Sequence, residues 1–289
     1  MNRILPAIQV LCLLFISVAF GYYFFHDLEA IKEEAQGPSS ISVKHKLQFS
    51  FASGFYTEAI ALKITNPKDD SCTIFYSLDH HIPDDSSLKY GSPIYLDFSS
   101  NVSDETAHPQ HRATLVRAIA YRNGKPISHV RTGVFFIDSM IFLKYPYPIL
   151  SLVTEPDFPA GVDTIEISTH ITLVENNGVV GLSQDAGLRI LEKQLLQPGL
   201  GLLELISRKK YGTRYFNYPI HKQINAPKFP RFGLRKLPNN LLNVIVEGKD
   251  VVKIDTAIAS PYVVYINERL EGIYISEPLT SDSVATYSD

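Results

Sequence analysis

The sequence predicts a mainly β protein with an α+β portion, arranged as an N-terminal apolar helix followed by two folded parts. Three observations support this prediction. An uncharged apolar run opens the chain, short alternating runs separated by turn residues follow between about Lys46 and Asp138, and longer buried runs begin at Tyr147.

Composition and charge exclude several classes of protein. Of the 289 residues, 45% are hydrophobic and 20% are charged, which is typical of a globular chain. The 27 basic and 30 acidic side chains give a net charge of −3, so we expect no nucleic-acid partner. Cys12 and Cys72 are far apart and provide neither a CxxC metal pair nor a disulfide framework.

The apolar run extends from Ile4 to Phe25 without a charged residue. As a helix it is long enough to span about 30 Å of hydrocarbon. Arg3 precedes the run and acidic residues follow it, which predicts export of the rest of the chain. Ala19 and Gly21 also fit the small-residue spacing of a signal-peptidase site, so an anchor and a cleaved signal peptide both stay open.

These features predict the N-terminal organisation. Residues 1–26 are a membrane anchor or signal peptide, and residues 27–45 form a polar stalk. The predicted localisation is a single-pass membrane protein held by residues 4–25, with exported C-terminal domains. A secreted protein is the alternative.

Residues 46–140 show alternating apolar and polar runs that predict strands. Strands are expected around Ala59–Ile64 and over Thr73–Leu78, Leu115–Tyr121 and His129–Ile137. Asn123-Gly124 separates the last two runs and predicts a tight hairpin. No helical period of useful length interrupts the segment, so we predict a small antiparallel β-sandwich.

The order of motifs in this segment also carries a resemblance. It includes Phe49-Ser50, Gly54-Phe55-Tyr56, Ile74–Asp79, Tyr90–Ile94 and Val116–Ala120. In these motifs the segment resembles the accessory β-sandwich at the C-terminus of chitobiases and β-hexosaminidases. In that family the module has no catalytic residues of its own, and the resemblance implies the same here.

One polar cluster within the segment has the residue types of a metal site. Its members are Asp79, His80, His81, Asp84 and Asp85. Such side chains bind Zn²⁺ or Ca²⁺, but Pro83 and the aspartates are also turn formers. Because no CxxC or HxxxH partner accompanies them, the sequence predicts a polar turn and no metal.

Residues 147–278 carry a second and more specific resemblance. The motifs are Tyr147–Pro156, Ala186–Ile190, Arg208–Gly212, Phe216–Ile220, Phe232–Lys236, Pro261–Arg269 and Gly272–Tyr274. They resemble the N-terminal portion of the CotH-type, spore-coat kinase-like family. The resemblance implies a truncated kinase-like α+β domain, followed by a polar tail at residues 279–289.

Departures from that family bear on activity. The family places a phosphate-binding lysine at the head of the strand that leads to Arg208, whereas Gln197–Glu204 contains no Lys. Its metal-binding and catalytic acidic residues lie beyond the strand that ends at Glu277. The departures imply a degenerate or truncated kinase, so we predict no catalytic residues, no cofactor and no metal.

A basic strip, defined as Arg208–Lys236, lies in a stretch from Leu205 to Val246 that has no Asp or Glu. Its nine cations are Arg208, Lys209, Lys210, Arg214, Lys222, Lys228, Arg231, Arg235 and Lys236. Aromatic residues interleave with them, and together they predict an anion or phosphate site. The predicted ligand-binding residues are Arg189, Arg208, Lys209, Lys210 and Arg235. The alternative is a solvated face paired with carboxylates elsewhere, such as Glu247, Asp250 or Asp255.

Two function classes follow. The first is a non-catalytic, membrane-anchored envelope or surface protein that binds an acidic polysaccharide or an envelope protein through its β-sandwich and truncated kinase-like domain. The alternative is the N-terminal half of a CotH-type atypical protein kinase, completed by a separately encoded C-terminal lobe.

Overall fold

The computed structural model describes residues 46–98, 113–137, 147–155, 166–190, 202–221, 224, 226–237, 260–277 and 279. The predicted apolar helix, the stalk and nearly all of the polar tail lie outside these residues. So do residues 138–146, where the two predicted parts of the chain, 46–140 and 147–278, meet. Gly199-Leu200-Gly201, whose glycines predict a tight turn between strands, also lies outside them.

No helix in the described ranges has the length and apolar character needed to cross a membrane. Their elements are strands of two to eleven residues and one 3-10 turn, Lys209–Tyr211. This finding contradicts the prediction of a single-pass membrane protein. The segment on which it rested, residues 4–25, lies outside the described ranges.

The described residues between 46 and 137 form three sheets. The strands are β1 (Gln48–Phe49), β2 (Gly54–Tyr56), β3 (Ile60–Leu62), β4 (Ile64–Thr65), β5 (Thr73–Ser77), β6 (Leu88–Lys89), β7 (Ile94–Leu96), β8 (Thr114–Arg122), β9 (Lys125–Pro126) and β10 (Arg131–Ile137). The largest sheet has the order β2-β10-β8-β5-β6, with β9 also paired to β8. Two small sheets, β1–β4 and β3–β7, complete the layer opposite.

The sheets enclose one apolar core because alternate residues of each strand point inward. The small sheets contribute Ile60, Leu62, Ile64, Ile94 and Leu96, and the large sheet contributes Val116, Ala118, Ala120, Phe135 and Ile137. This arrangement confirms the predicted sandwich. It departs from a purely antiparallel arrangement at one place, where β2 runs parallel to β10.

The predicted hairpin is confirmed. Arg122 pairs with Lys125 across a two-residue loop, and Asn123 and Gly124 have φ angles of 51° and 72°. Both loop residues therefore adopt the left-handed conformation that a type I′ turn requires, which Asn and Gly tolerate best.

The remaining described residues form a closed seven-stranded barrel. Its strands are β11 (Ile149–Thr154), β12 (Ile167–Val174), β13 (Val180–Ile190), β14 (Leu202–Ile206), β15 (Arg231–Lys236), β16 (Pro261–Ile266) and β17 (Arg269–Glu277). Their order is β11-β12-β13-β14-β15-β17-β16. All neighbours are antiparallel except β11 and β16, whose parallel pairing closes the barrel.

Large apolar side chains fill the barrel. They include Leu152, Ile171, Leu173, Leu188, Leu205, Phe232, Leu234, Tyr262 and Val264. The mainly β part of the predicted fold class is confirmed, and the described stretches of residues 147–278 contain no α-helix. Strands such as β11 and β14 are buried along their whole length, since one face lines the barrel interior and the other is also covered.

The sandwich and the barrel share an apolar contact. Leu115, Val134 and Phe136 from the sandwich cluster with Ile149, Val263 and Tyr265 from the outer wall of the barrel. The rings of Phe136 and Tyr265 lie 5.0 Å apart in an edge-on arrangement. The Ala113 N–H donates to the carbonyl oxygen of Glu268 at 3.1 Å, which fixes one point of this junction.

Candidate anion-binding site

Three of the predicted ligand-binding residues meet at one carboxylate. The Glu166 carboxylate contacts Arg189 at 3.0 Å, Arg208 at 3.1 Å and Lys210 at 2.9 Å. The Tyr211 hydroxyl donates to the same carboxylate at 2.8 Å. Arg189 belongs to β13, while the other partners lie in or beside the 3-10 turn after β14. Glu166 therefore ties this turn to the barrel wall.

Gly187 explains why Glu166 can lie so close to the wall. A Cβ atom at Gly187 would be 2.7 Å from Oε1 of Glu166 and 2.9 Å from its Cδ atom. The Glu166 carboxylate therefore lies against the face of β13 at Gly187, and the Glu166 side chain is only 9% exposed. This close approach requires a residue without a side chain.

The electrostatics of this contact favour the ionised carboxylate. Burial would raise the pKa of Glu166, but hydrogen bonds from Lys210 and Tyr211 and the charges of Lys210 and Arg208 outweigh it and lower the pKa. The hydrogen bond to Glu166 raises the pKa of Lys210 in turn. Burial, reinforced by the Glu166 carboxylate, raises the pKa of Tyr211.

A second carboxylate extends the network across the barrel wall. Glu204 of β14 lies opposite Arg189 of β13, and its side chain is 1% exposed. Its oxygens lie 3.6 Å from Arg189 and 3.4 Å from Arg231 of β15. Charges of alternating sign therefore run across three neighbouring strands.

The network has more cations than carboxylates. Arg189, Arg208, Lys210 and Arg231 share Glu166 and Glu204, which leaves two positive charges in excess. We call this set, together with Lys209, the cationic face. A local excess of fixed cations attracts anions.

The other two predicted residues have different surroundings. Lys209 is exposed in the 3-10 turn and has no ion pair within the described part of the chain. Arg235 lies apart from the Glu166 cluster and forms a two-point ion pair with Glu277, at 2.6 and 3.1 Å. The structure thus brings together Arg189, Arg208 and Lys210, with Lys209 adjacent, and places Arg235 at a separate ion pair.

The aromatic residues of the basic strip divide between the core and the surface. Phe216 and Tyr218 pack into the barrel core. Tyr211 and Tyr215 lie at the surface, where Lys210 and Lys228 approach their rings at 4.7 and 5.0 Å. Of these four aromatic residues, only Tyr211 and Tyr215 could present a ring face together with a cation to a ligand.

The loop of residues 79–85 in the sandwich, which contains the predicted polar cluster, contacts the barrel. His80 lies 3.3 Å from Glu268, and the backbone N–H of Ile82 donates to Glu155. Arg117 donates to the carbonyl oxygen of His80 and pairs with Glu155. Within the described residues no group of three or more His, Cys, Asp or Glu side chains could hold a metal ion. The loop therefore has contacts that fasten the sandwich to the barrel.

The sequence does not predict one cluster on the barrel, formed by His170, Ser183 and Asp185. His170 of β12 has Nδ1 at 2.6 Å from Oδ1 of Asp185 and Nε2 at 3.2 Å from Oγ of Ser183. Ser183 and Asp185 are alternate residues of β13 and point to the same outer face. No contiguous motif announces this grouping, because it depends on the register between two strands.

Comparisons with known proteins bear on the sandwich alone. A family model described as "Fn3 associated" matches residues 60–135, most of the segment that forms the sandwich. No curated protein and no solved structure matches the chain. The family match thus agrees with a sandwich-type module and does not extend to the barrel.

Proposed function

We propose that this chain is a binding protein for polyanions, with the cationic face of the barrel as its binding surface. The observation that supports the proposal is the excess of cations around Glu166 and Glu204. Both carboxylates are already engaged and nearly buried, so the exposed ends of Arg208, Lys209 and Lys210 remain available to a ligand. Acidic polysaccharides fit this pattern, as does a partner protein with an acidic surface.

The resemblances in the sequence support the same proposal. The sandwich resembles an accessory module without catalytic residues, and the barrel segment resembles the N-terminal portion of CotH-type kinases without the phosphate-binding lysine. We therefore propose that the chain does not transfer phosphate from ATP. The half-kinase alternative rests on that resemblance alone, since no contact among the described residues favours it.

Binding to heparin and to inorganic polyphosphate tests the proposal. We expect the triple variant R208A/K209A/K210A to lose most of the affinity of the wild-type chain. Affinity should also fall as salt rises, because ions screen exposed charges beyond about 10 Å at 0.1 M. The matched control is K63A/K68A/K125A, which removes three exposed lysines of the sandwich.

Two results would contradict the proposal. One is equal affinity of the wild type and the variant R208A/K209A/K210A for both polyanions. The other is an equal loss in the sandwich control, which would show that binding follows net charge and not the cationic face. Transfer of radiolabelled phosphate from ATP above a no-protein control would instead favour the kinase alternative.

A further inference from the structure

The cluster of Ser183, His170 and Asp185 has the connectivity of an activated nucleophile. In the antiparallel pair of β12 and β13, His170 lies opposite Asp185 and Thr172 lies opposite Ser183. His170 therefore reaches one residue directly across and one diagonal neighbour. Both reach the imidazole through different ring nitrogens, at 2.6 and 3.2 Å.

Hydrogen bonding selects one arrangement of protons. An ionised Asp185 can only accept, so the neutral imidazole carries its proton on Nδ1 and donates it to the carboxylate. The other nitrogen, Nε2, is then free to accept the hydroxyl proton of Ser183. This is the sequence of nucleophile, base and orienting carboxylate that defines serine hydrolases irrespective of fold.

We propose that Ser183 is the nucleophile of an ester-hydrolysing centre, with His170 as its general base and Asp185 as the group that orients the imidazole. Ser183 is exposed on the outer face of β13, where a substrate can reach it, whereas His170 is mostly covered. This inference adds a chemical activity to the binding function proposed above.

The edge of β13 offers a place for the negative charge that develops during the reaction. In the described residues, β13 pairs with β14 only over Gly187–Ile190, while the strand itself begins at Val180. The preceding part of β13 therefore has one backbone edge that β14 does not cover. Alternate N–H groups along this part of β13 point away from β12, and one of them, beside Ser183, is the proposed donor to the oxyanion.

The reaction balances with water as the only co-reactant. As Oγ of Ser183 attacks the ester carbonyl carbon, Nε2 of His170 takes the hydroxyl proton. Collapse of the tetrahedral intermediate breaks the bond to the alcohol, which leaves with that proton. Water then attacks the acyl–serine ester, gives one proton to His170, and releases the carboxylic acid as Ser183 regains its proton.

The position of this centre points to a substrate class. One face of β13 carries the alternate residues Ser183, Asp185, Gly187 and Arg189. Glu166 of the cationic face lies against this face at Gly187. Ser183 and Gly187 are four positions apart along the strand, about 13 Å. Acyl esters on an acidic polysaccharide bound at the cationic face would lie within this reach. This choice of substrate rests on the proposed function, whereas the ester chemistry does not.

A neutral ester and an active-site probe test the chemistry separately from polyanion binding. We expect the full chain to hydrolyse p-nitrophenyl acetate and to react with a fluorophosphonate at Ser183, located by mass spectrometry. S183A and H170Q should each lower the hydrolysis rate by about 100-fold or more. The matched control S168A removes an exposed serine of the neighbouring strand β12 and should leave the rate unchanged.

Misfolding of S183A or H170Q would also lower the hydrolysis rate, so a cysteine variant tests the role of His170 by a gain in reactivity. In S183C the thiol should be alkylated by iodoacetamide faster than in S183C/H170Q, because His170 accepts its proton. Hydrolysis no faster in the wild type than in S183A, fluorophosphonate labelling at another residue, or an equal loss in S168A would each overturn the proposal. R208A/K209A/K210A should retain hydrolysis of the neutral ester, so failure of polyanion binding and failure of the ester centre are distinguishable.

Discussion

At the scale of single residues, the contact between Glu166 and Gly187 controls the geometry of the cationic face. Glu166 holds Arg189, Arg208 and Lys210 together, and Gly187 provides the space in which its carboxylate lies. Without Glu166, these three like charges would repel one another. The buried carboxylate therefore organises the cations at the same time as it neutralises part of their charge.

The substitution G187A tests this view. The added methyl group would displace Glu166 from several partners at once, and we expect a loss of about 1–3 kcal/mol in the free energy of unfolding. The control G91A lies where nothing is within 4 Å of the added atom, and should change stability by less than about 0.5 kcal/mol. Urea unfolding of both variants measures the difference, and equal stability would contradict a tight contact.

At the scale of elements, β13 has two roles along one face. Arg189 belongs to the cationic face, and Gly187 lies beside Glu166 of that face. Ser183 and Asp185 belong to the cluster with His170. The strand can hold both because it extends for eleven residues, well beyond its pairing with β14. A single rigid strand therefore sets the spacing between the two sites.

The β8–β9 hairpin supplies an element-scale prediction in which the backbone alone decides the outcome. An alanine at Gly124 would meet no atom within 4 Å, but the φ angle of 72° is unfavourable for any residue with a Cβ. We expect G124A to lower the free energy of unfolding by about 1 kcal/mol, in contrast to G91A. Thermal or urea unfolding would contradict the assigned turn if the two variants were equally stable.

At the scale of the whole molecule, the sandwich and the barrel share part of their apolar packing. Phe135 and Phe136 are neighbours in β10 and point in opposite directions. Phe135 packs in the sandwich core, whereas Phe136 packs against Tyr265 of the barrel. The division into residues 46–140 and 147–278 stays a prediction, and this pair of residues allows it to be tested.

We expect a fragment of residues 41–140 to fold by circular dichroism. In the full chain, F135A and F136A should each cost about 3–5 kcal/mol in the free energy of unfolding. In the fragment F135A should cost a similar amount, but F136A much less, because its ring no longer packs against the barrel. An unfolded fragment, or an equal cost of F136A in both proteins, would show that the sandwich depends on the barrel for its stability.

The features predicted correctly from sequence are those that local patterns determine. The strands β5, β8 and β10 and the turn at Asn123-Gly124 follow from alternation and turn chemistry within a few residues. Barrel closure does not, since it pairs Ile149 with Val263 across more than a hundred residues. The α+β prediction for this segment rests on the resemblance to CotH-type kinases, because the local pattern alone does not define a topology.

The candidate sites show the same limit. The basic strip is visible in the sequence as a run of charge, but the sequence does not show which carboxylates pair with it. In the structure Glu166 and Glu204 do so, whereas Glu247, Asp250 and Asp255 lie outside the described residues. The pairing of Arg189 with Glu204 depends on strand register, as does the grouping of His170 with Ser183. Register between distant segments cannot be derived from a single sequence without the fold.

Closure by β11 and β16 also governs what happens while the chain is being synthesised. A ribosome delivers β11 through β15 before β16 and β17, because these two are the last strands of the barrel along the chain. Until they emerge, the nascent sheet has two open edges, at β11 and β15. Their unpaired backbone groups can recruit strands from other chains. A product terminated between residues 237 and 261 would keep both edges and would be prone to aggregate.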